Sequence, residues 1–142
     1  MKLITMINLM LEGMGGTCAI FFLTLLFSLP LGMVVALLRM SKNKVVSNVT
    51  RAIISVLRGT PLMLQLIAVT YGPYYLFQFS VSKNKLIPVV IAFAINYAAY
   101  FAEIYRSGIE SIPVGQYEAA EILGYSKVQT FFRIILPQVI KR

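Results

Sequence analysis

Glu118, Ala119 and Ala120 stand side by side, Glu121 follows, and Gly124 comes four residues after Ala120. Two acids, two methyl side chains and a glycine make a charged, soluble-looking island that follows three long apolar segments. Such an island suits a surface that another protein grips. The alanines allow close approach, the acids offer charge, and the glycine allows a sharp bend. A second group lies in apolar surroundings: Thr60, Gln65, Asn96, Tyr100 and Glu103. Polar groups inside a membrane are costly to bury and are functional candidates by default. For Gln65 and Asn96, with Thr60 and Tyr100 nearby, two readings stay open: they line a substrate path, or they bond between helices. Glu103 has a local partner in Arg106, three residues on, so an ion pair along one helix is the expectation there. The chain has no histidine, no phosphate-binding glycine loop and no cluster of metal ligands. No catalytic residue, metal or cofactor is expected.

The elements that must position these residues are membrane helices. The sequence is 58% hydrophobic and 13% charged, against about 25% charged for an ordinary soluble domain. Three uncharged runs carry the excess: residues 13–38, 59–82 and 86–102. A helix needs roughly 20 apolar residues to cross the ~30 Å hydrocarbon core. We therefore expect one membrane domain over residues 1–142. Its spans are expected at about 15–38, 51–78 and 87–107, with the start of a fourth at 134–142. The first run begins too late and is too long for a cleaved leader, so it reads as a retained helix. Lone Cys18 lies in it as an apolar filler. Pro30 is expected to kink span one without ending it. Gly59-Thr60-Pro61 and Gly72-Pro73 are each expected to interrupt span two. Tyr71, Tyr74, Tyr75, Phe77 and Phe79 close span two and suit a membrane–water interface.

The net charge of +8 is no nucleic-acid footprint, because the basic residues sit at the ends of the apolar runs. Arg39, Lys42, Lys44, Arg51 and Arg58 separate the first two, whereas Lys83 and Lys85 separate the next two. Basic loops favour the cytoplasm. Residues 41–49 and 115–127 are thus expected inside, and 79–85 outside.

Residues 112–133 read as two short helices. Pro113 stands where the first can begin, and Glu118 and Glu121 are expected in its early turns, favourable to the helix dipole. Gly124 is expected to end it in a left-handed conformation. Ser126 and Gln129 form a capping-box pattern for the second helix. Val128, Phe131, Phe132, Ile135 and Leu136 should then make one apolar stripe. Pro137 marks the kinked start of another span. The apolar run that begins at Ile134 reaches only Arg142. Either a truncated gene product or a fragment is expected.

The spacing Glu-Ala-Ala, three residues, Gly124, nine residues, Ile134, one residue, Leu136-Pro137 resembles the EAA signature of ABC importer permeases. Arg58-Gly59-Thr60-Pro61-Leu62-Met63-Leu64-Gln65 resembles a stretch of the polar amino-acid branch. So do Ala99-Tyr100-Phe101-Ala102-Glu103-Ile104-Tyr105-Arg106-Ser107-Gly108-Ile109 and the residues from Ser111 through Gln138. The similarity covers most of residues 15–142. The chain is identified as a member of the histidine/glutamine/arginine-type, binding-protein-dependent permeases.

That resemblance implies an all-α membrane protein with the type I ABC importer permease fold. Three complete transmembrane helices, cytoplasmic coupling helices and the start of a fourth span are what this chain would hold of the usual five spans. It implies cytoplasmic ABC ATPase subunits, an extracytoplasmic solute-binding protein and a second permease subunit, identical or homologous. The setting would be the inner or plasma membrane of a prokaryote, crossed several times. The implied function is the translocation path of an ATP-driven amino-acid importer, not an enzyme, with ATP hydrolysed by a separate subunit. A non-transporting remnant or membrane scaffold is the alternative. Glu118, Ala119, Ala120 and Gly124 would couple to the ATPase.

Overall fold

The computed structural model describes residues 2–78 and 86–141, and the residues described form helices joined by short turns. The expected outward turn at 79–85 lies outside the described residues. Helix α1 spans Lys2–Arg39, α2 Lys44–Gly59, α3 Leu62–Phe77 and α4 Leu86–Glu110. Short α5 spans Val114–Ile122 and α6 Lys127–Thr130; a π-helical turn, Phe131–Ile135, leads into α7, Leu136–Ile140.

Helices α1 and α4 are each long and apolar enough to cross a membrane. With 38 residues, α1 is roughly 57 Å long, well beyond the ~30 Å hydrocarbon core. It starts thirteen residues before the expected span and runs through Pro30 without ending. The two helices run side by side in the same direction: Phe21 lies near Phe93, Gly32 near Phe101 and Arg39 near Glu103. Their contact is built from small side chains. On α1 the buried positions Thr24, Ser28, Gly32 and Ala36 recur every four residues, one face of a helix. On α4 the buried set includes Ala92, Asn96, Ala98, Ala99 and Ala102. A Cβ at Gly32 would stand 2.7 Å from Phe101 Cβ, so only glycine lets the helices approach this closely. In lipid, where apolar burial drives little, close backbone packing of this kind is the main source of helix association.

Residues 51–78, expected as one interrupted span, form two helices bent by 106°. The cause is Pro61. The residue before a proline is pushed out of the helical region, and Thr60 sits at φ −105°, ψ 142°. Each half has 16 residues, about 24 Å, too short to cross alone. Only the bent pair together could make a third crossing. The second expected interruption does not occur. Helix α3 continues through Gly72 and Pro73 to Phe77, and it ends at Gln78, whose φ is 57°. So near a helix end, Pro73 removes one ladder bond without stopping the helix.

Candidate functional site

Thr60, Gln65 and Asn96 come together where the bend meets α4. Pro61 has no N–H, so the carbonyl of Leu57, four residues back, loses its helical donor. Gln65 Nε2 donates to that carbonyl at 2.7 Å and Asn96 Nδ2 at 3.2 Å. Gln65 Nε2 also reaches Thr60 Oγ1 at 2.7 Å and the Thr60 carbonyl at 3.2 Å. Asn96 Nδ2 donates to Gln65 Oε1 at 2.9 Å. Asn96 is buried, and Thr60 Oγ1 bonds back to Val56 O at 2.8 Å. The amides thus bond between helices and satisfy backbone that a proline has orphaned. Tyr100 lies apart from the knot, with the Arg58 guanidinium 5.2 Å from its ring centroid.

One turn further, the expected ion pair forms, Glu103 to Arg106 at 2.7 Å. Arg106 also meets Glu110 at 2.6 Å, an i,i+4 pair of the same local kind, whereas spacing gave no sign that Arg39 at the end of α1 stands 3.9 Å from Glu103. Arg39 Nη1 donates to Ser47 Oγ at 3.0 Å, and that hydroxyl donates to the Arg39 carbonyl at 2.7 Å. Together these bonds fasten the turn between α1 and α2.

At the same end of the bundle, α5 and α6 leave α4. Helix α5 begins after Pro113. Gly124 is left-handed, with φ 76°. Tyr125 N–H bonds the Ala120 carbonyl at 3.0 Å and Gly124 N–H the Glu121 carbonyl at 3.0 Å, the two bonds of a Schellman ending. Ser126 and Gln129 then form the expected capping box. Gln116 on α5 accepts from Gln138 Nε2 on α7, a link without a signal in the sequence because the partners lie 22 residues apart.

Three expectations are corrected here. No acid falls in the first turn of α5. Glu118 is in the second turn and Glu121 in the last, where a negative charge opposes the dipole. Ala119 faces outward, but Ala120 is 1% exposed, so its small size serves internal packing. The apolar stripe is not continuous. Ile135 is buried while Val128 and Phe132 are exposed. The π turn at 131–135 inserts a residue and rotates the helix after it. Within it, Leu136 N–H reaches back to Phe131 O, and Pro137 has no N–H to offer. The outward face of the segment is Glu118, Ala119, Ile122 and Leu123. The last two were not among the expected site residues, yet they are 86% and 73% exposed, too apolar for a purely aqueous face. Beside it, Leu37, Met40, Ile109, Tyr117, Tyr125 and Phe131 border a cavity of about 560 Å³. Partial burial there raises the Tyr117 phenol above its ordinary pKa.

Comparison with known proteins places this arrangement. The family described as "Binding-protein-dependent transport system inner membrane component" matches residues 28–141. The chain is 38% identical over 130 residues to the L-cystine transport system permease protein TcyB of Bacillus subtilis (strain 168), covering 91% of this chain and 54% of that protein. It is 34% identical over 143 residues to the nopaline transport system permease protein NocM of Agrobacterium fabrum, covering 94% of this chain and 58% of that protein. A chain of the solved structure "Crystal structure of an amino acid ABC transporter with histidines" superposes with a TM-score of 0.78 at 34% identity. That match covers 97% of this chain and 64% of the other. The chain spans about half the length of the curated relatives it matches.

Proposed function

We propose, since this chain belongs to the family of binding-protein-dependent transport system inner membrane components, that it works as a permease subunit of an ATP-driven amino-acid importer. Helices α1, α4 and the bent pair α2–α3 form part of a translocation path. A solute-binding protein delivers the cargo from outside, and a second permease subunit completes the path. Cytoplasmic ATPase subunits drive alternating access, a two-state change biased by the partner. The relatives' names specify different cargoes, from cystine to nopaline and arginine, so the reading stops at amino acids and their derivatives.

The observation that carries the coupling role is the outward face of α5. Glu118 and Glu121 are exposed, and Glu121 is opposed by its own helix dipole. Ile122 and Leu123 are exposed beside them. Such a face gains most from a partner groove that is basic at its rim and apolar at its floor. Arg39, Arg51, Arg58 and Arg106 gather at the end of the bundle from which α5 leaves, which supports a cytoplasmic position for that end. Thr60, Gln65 and Asn96 serve here as the scaffold of the bend, and Tyr100 is the member of that set left to face the path.

The test is site-directed cross-linking. A cysteine at Ala119, in a Cys18→Ser background, should cross-link to the co-expressed ATPase with a short bismaleimide. A lipid-soluble maleimide should leave it unmodified. Modification from the lipid phase, without an ATPase adduct, would place this face on the membrane surface and overturn the coupling role.

A further inference from the structure

Arg39, Arg51, Arg58 and Arg106 line one cavity of about 500 Å³ with Tyr100 and a single acid, Glu103. The charges do not cancel. Arg106 is taken up by Glu103 at 2.7 Å and Glu110 at 2.6 Å. Arg39 reaches Glu103 only at 3.9 Å, and its Nε is buried without a hydrogen-bond partner. Arg51 and Arg58 form no ion pair among the described residues; Arg58 has only the face of Tyr100. Three guanidinium groups thus share one carboxylate that is already bonded.

A buried guanidinium donor without an acceptor is unfavourable. Only Arg39 Nε is such a donor, since Arg51 and Arg58 are exposed; a multidentate anion would satisfy it and pair the two exposed guanidinium groups at the same time. Forked guanidinium donors match the oxygens of a carboxylate or phosphate in pairs. A carboxylate has two oxygens and serves one fork well, whereas a phosphate offers oxygens to several. The position points the same way. The cavity lies where the apolar stretch of α1 ends at Arg39, and basic residues at the end of a membrane span are the ones that meet anionic headgroups. Along α2, Val45, Val49 and Val56 form an exposed apolar stripe on the helix that carries Arg51 and Arg58.

We propose that this arginine-lined cavity is a binding site for a phosphate group, borne by an anionic phospholipid of the adjoining leaflet or by free phosphate. The proposal rests on the membrane placement of the chain and not on its role in transport, so it survives failure of the coupling test above.

The experiment uses the whole chain in neutral detergent. Native mass spectrometry compares retention of phosphatidylglycerol and phosphatidylcholine, and thermal unfolding compares phosphate with chloride at equal ionic strength. One phosphatidylglycerol should be retained preferentially. Arg51→Gln and Arg58→Gln should each reduce its retention about fivefold, whereas Arg133→Gln, which removes the same charge outside the cavity, should change it less than about twofold. In the unmutated chain, phosphatidylglycerol should protect Arg51 and Arg58 from phenylglyoxal, which keeps the test independent of any variant's folding. Stabilisation and protection by phosphate, without a lipid preference, would identify the free ion as the source. Absence of protection by both, or an equal loss in Arg133→Gln, would overturn the site.

Discussion

Two interruptions of helix are solved in opposite ways in this molecule. At Pro61 the break lies within apolar surroundings, and the orphaned Leu57 carbonyl is satisfied by Gln65 and by Asn96, the latter 39 residues away. At Gly124 the break lies in the segment that leaves the bundle. There every bond of the turn is local, from Ala120 to Gln129. Lipid offers a broken helix no hydrogen bonds, so other helices must supply them. Water forgives an imperfect turn, so short-range motifs suffice. A long-range knot ties the angle of the bend to the packing of the bundle. A local knot holds its shape while its outward face stays free for a partner.

The contrast breaks most readily at Gln65. Gln65→Leu removes the 2.7 Å donor to the Leu57 carbonyl and should destabilise the chain by about 2–3 kcal/mol in detergent unfolding. Pro61→Ala restores a backbone N–H at that position. In the Gln65→Leu background it should recover at least about 1 kcal/mol. Strict additivity of the two changes would mean that the amide does not compensate for the proline.

Gly124 comes next. Its φ of 76° is unstrained only for glycine, and open space surrounds it. Gly124→Ala should therefore cost about 1–2 kcal/mol from backbone strain alone, and Gly124→Asn less. Gly124→Asp should in addition abolish ATPase retention on the purified complex while the chain still reaches the membrane. Equal stability of the Ala and Gly forms would show that the turn relaxes out of the left-handed region.

Ser126→Ala removes the hydroxyl that accepts from Gln129 N–H and should cost about 1 kcal/mol, with no change at the α2–α3 bend. Altered cross-linking between cysteines at 57 and 96 in this variant would contradict the independence of the two regions. The smallest effect is expected for Glu118→Ala. It keeps helix propensity and removes one exposed acid. Unfolding should be unchanged and ATPase retention reduced only in part, more so at high salt in the wild type.

Legibility in the sequence divides along the same line. The left-handed Gly124, the Ser126–Gln129 box and the Glu103–Arg106 pair each rest on residues within five positions, and pattern alone located them. Gln65, Asn96 and Thr60 were legible as misplaced polar groups, but their role was not, because their partners come from other helices. Ala120 looked equivalent to Ala119, since which methyl group faces inward depends on what α5 packs against. The apolar stripe from Val128 to Leu136 assumed a uniform 3.6-residue period, which the π turn breaks.

Sequence alone was enough to establish that this chain is helical and membrane-embedded, that it breaks at Gly124, and which short motifs seal its turns; it marked Pro61 and Pro73 alike, and only Pro61 ends a helix. Those properties depend on hydropathy over one helix length and on bonds between near neighbours. The 106° bend, the amide knot that holds it and the gathering of four arginines around one acid were settled only by packing in three dimensions. The knot and the arginine cluster depend on which helices meet: α3 on α4 through Gln65 and Asn96, and α1 on α4 through the close approach at Gly32.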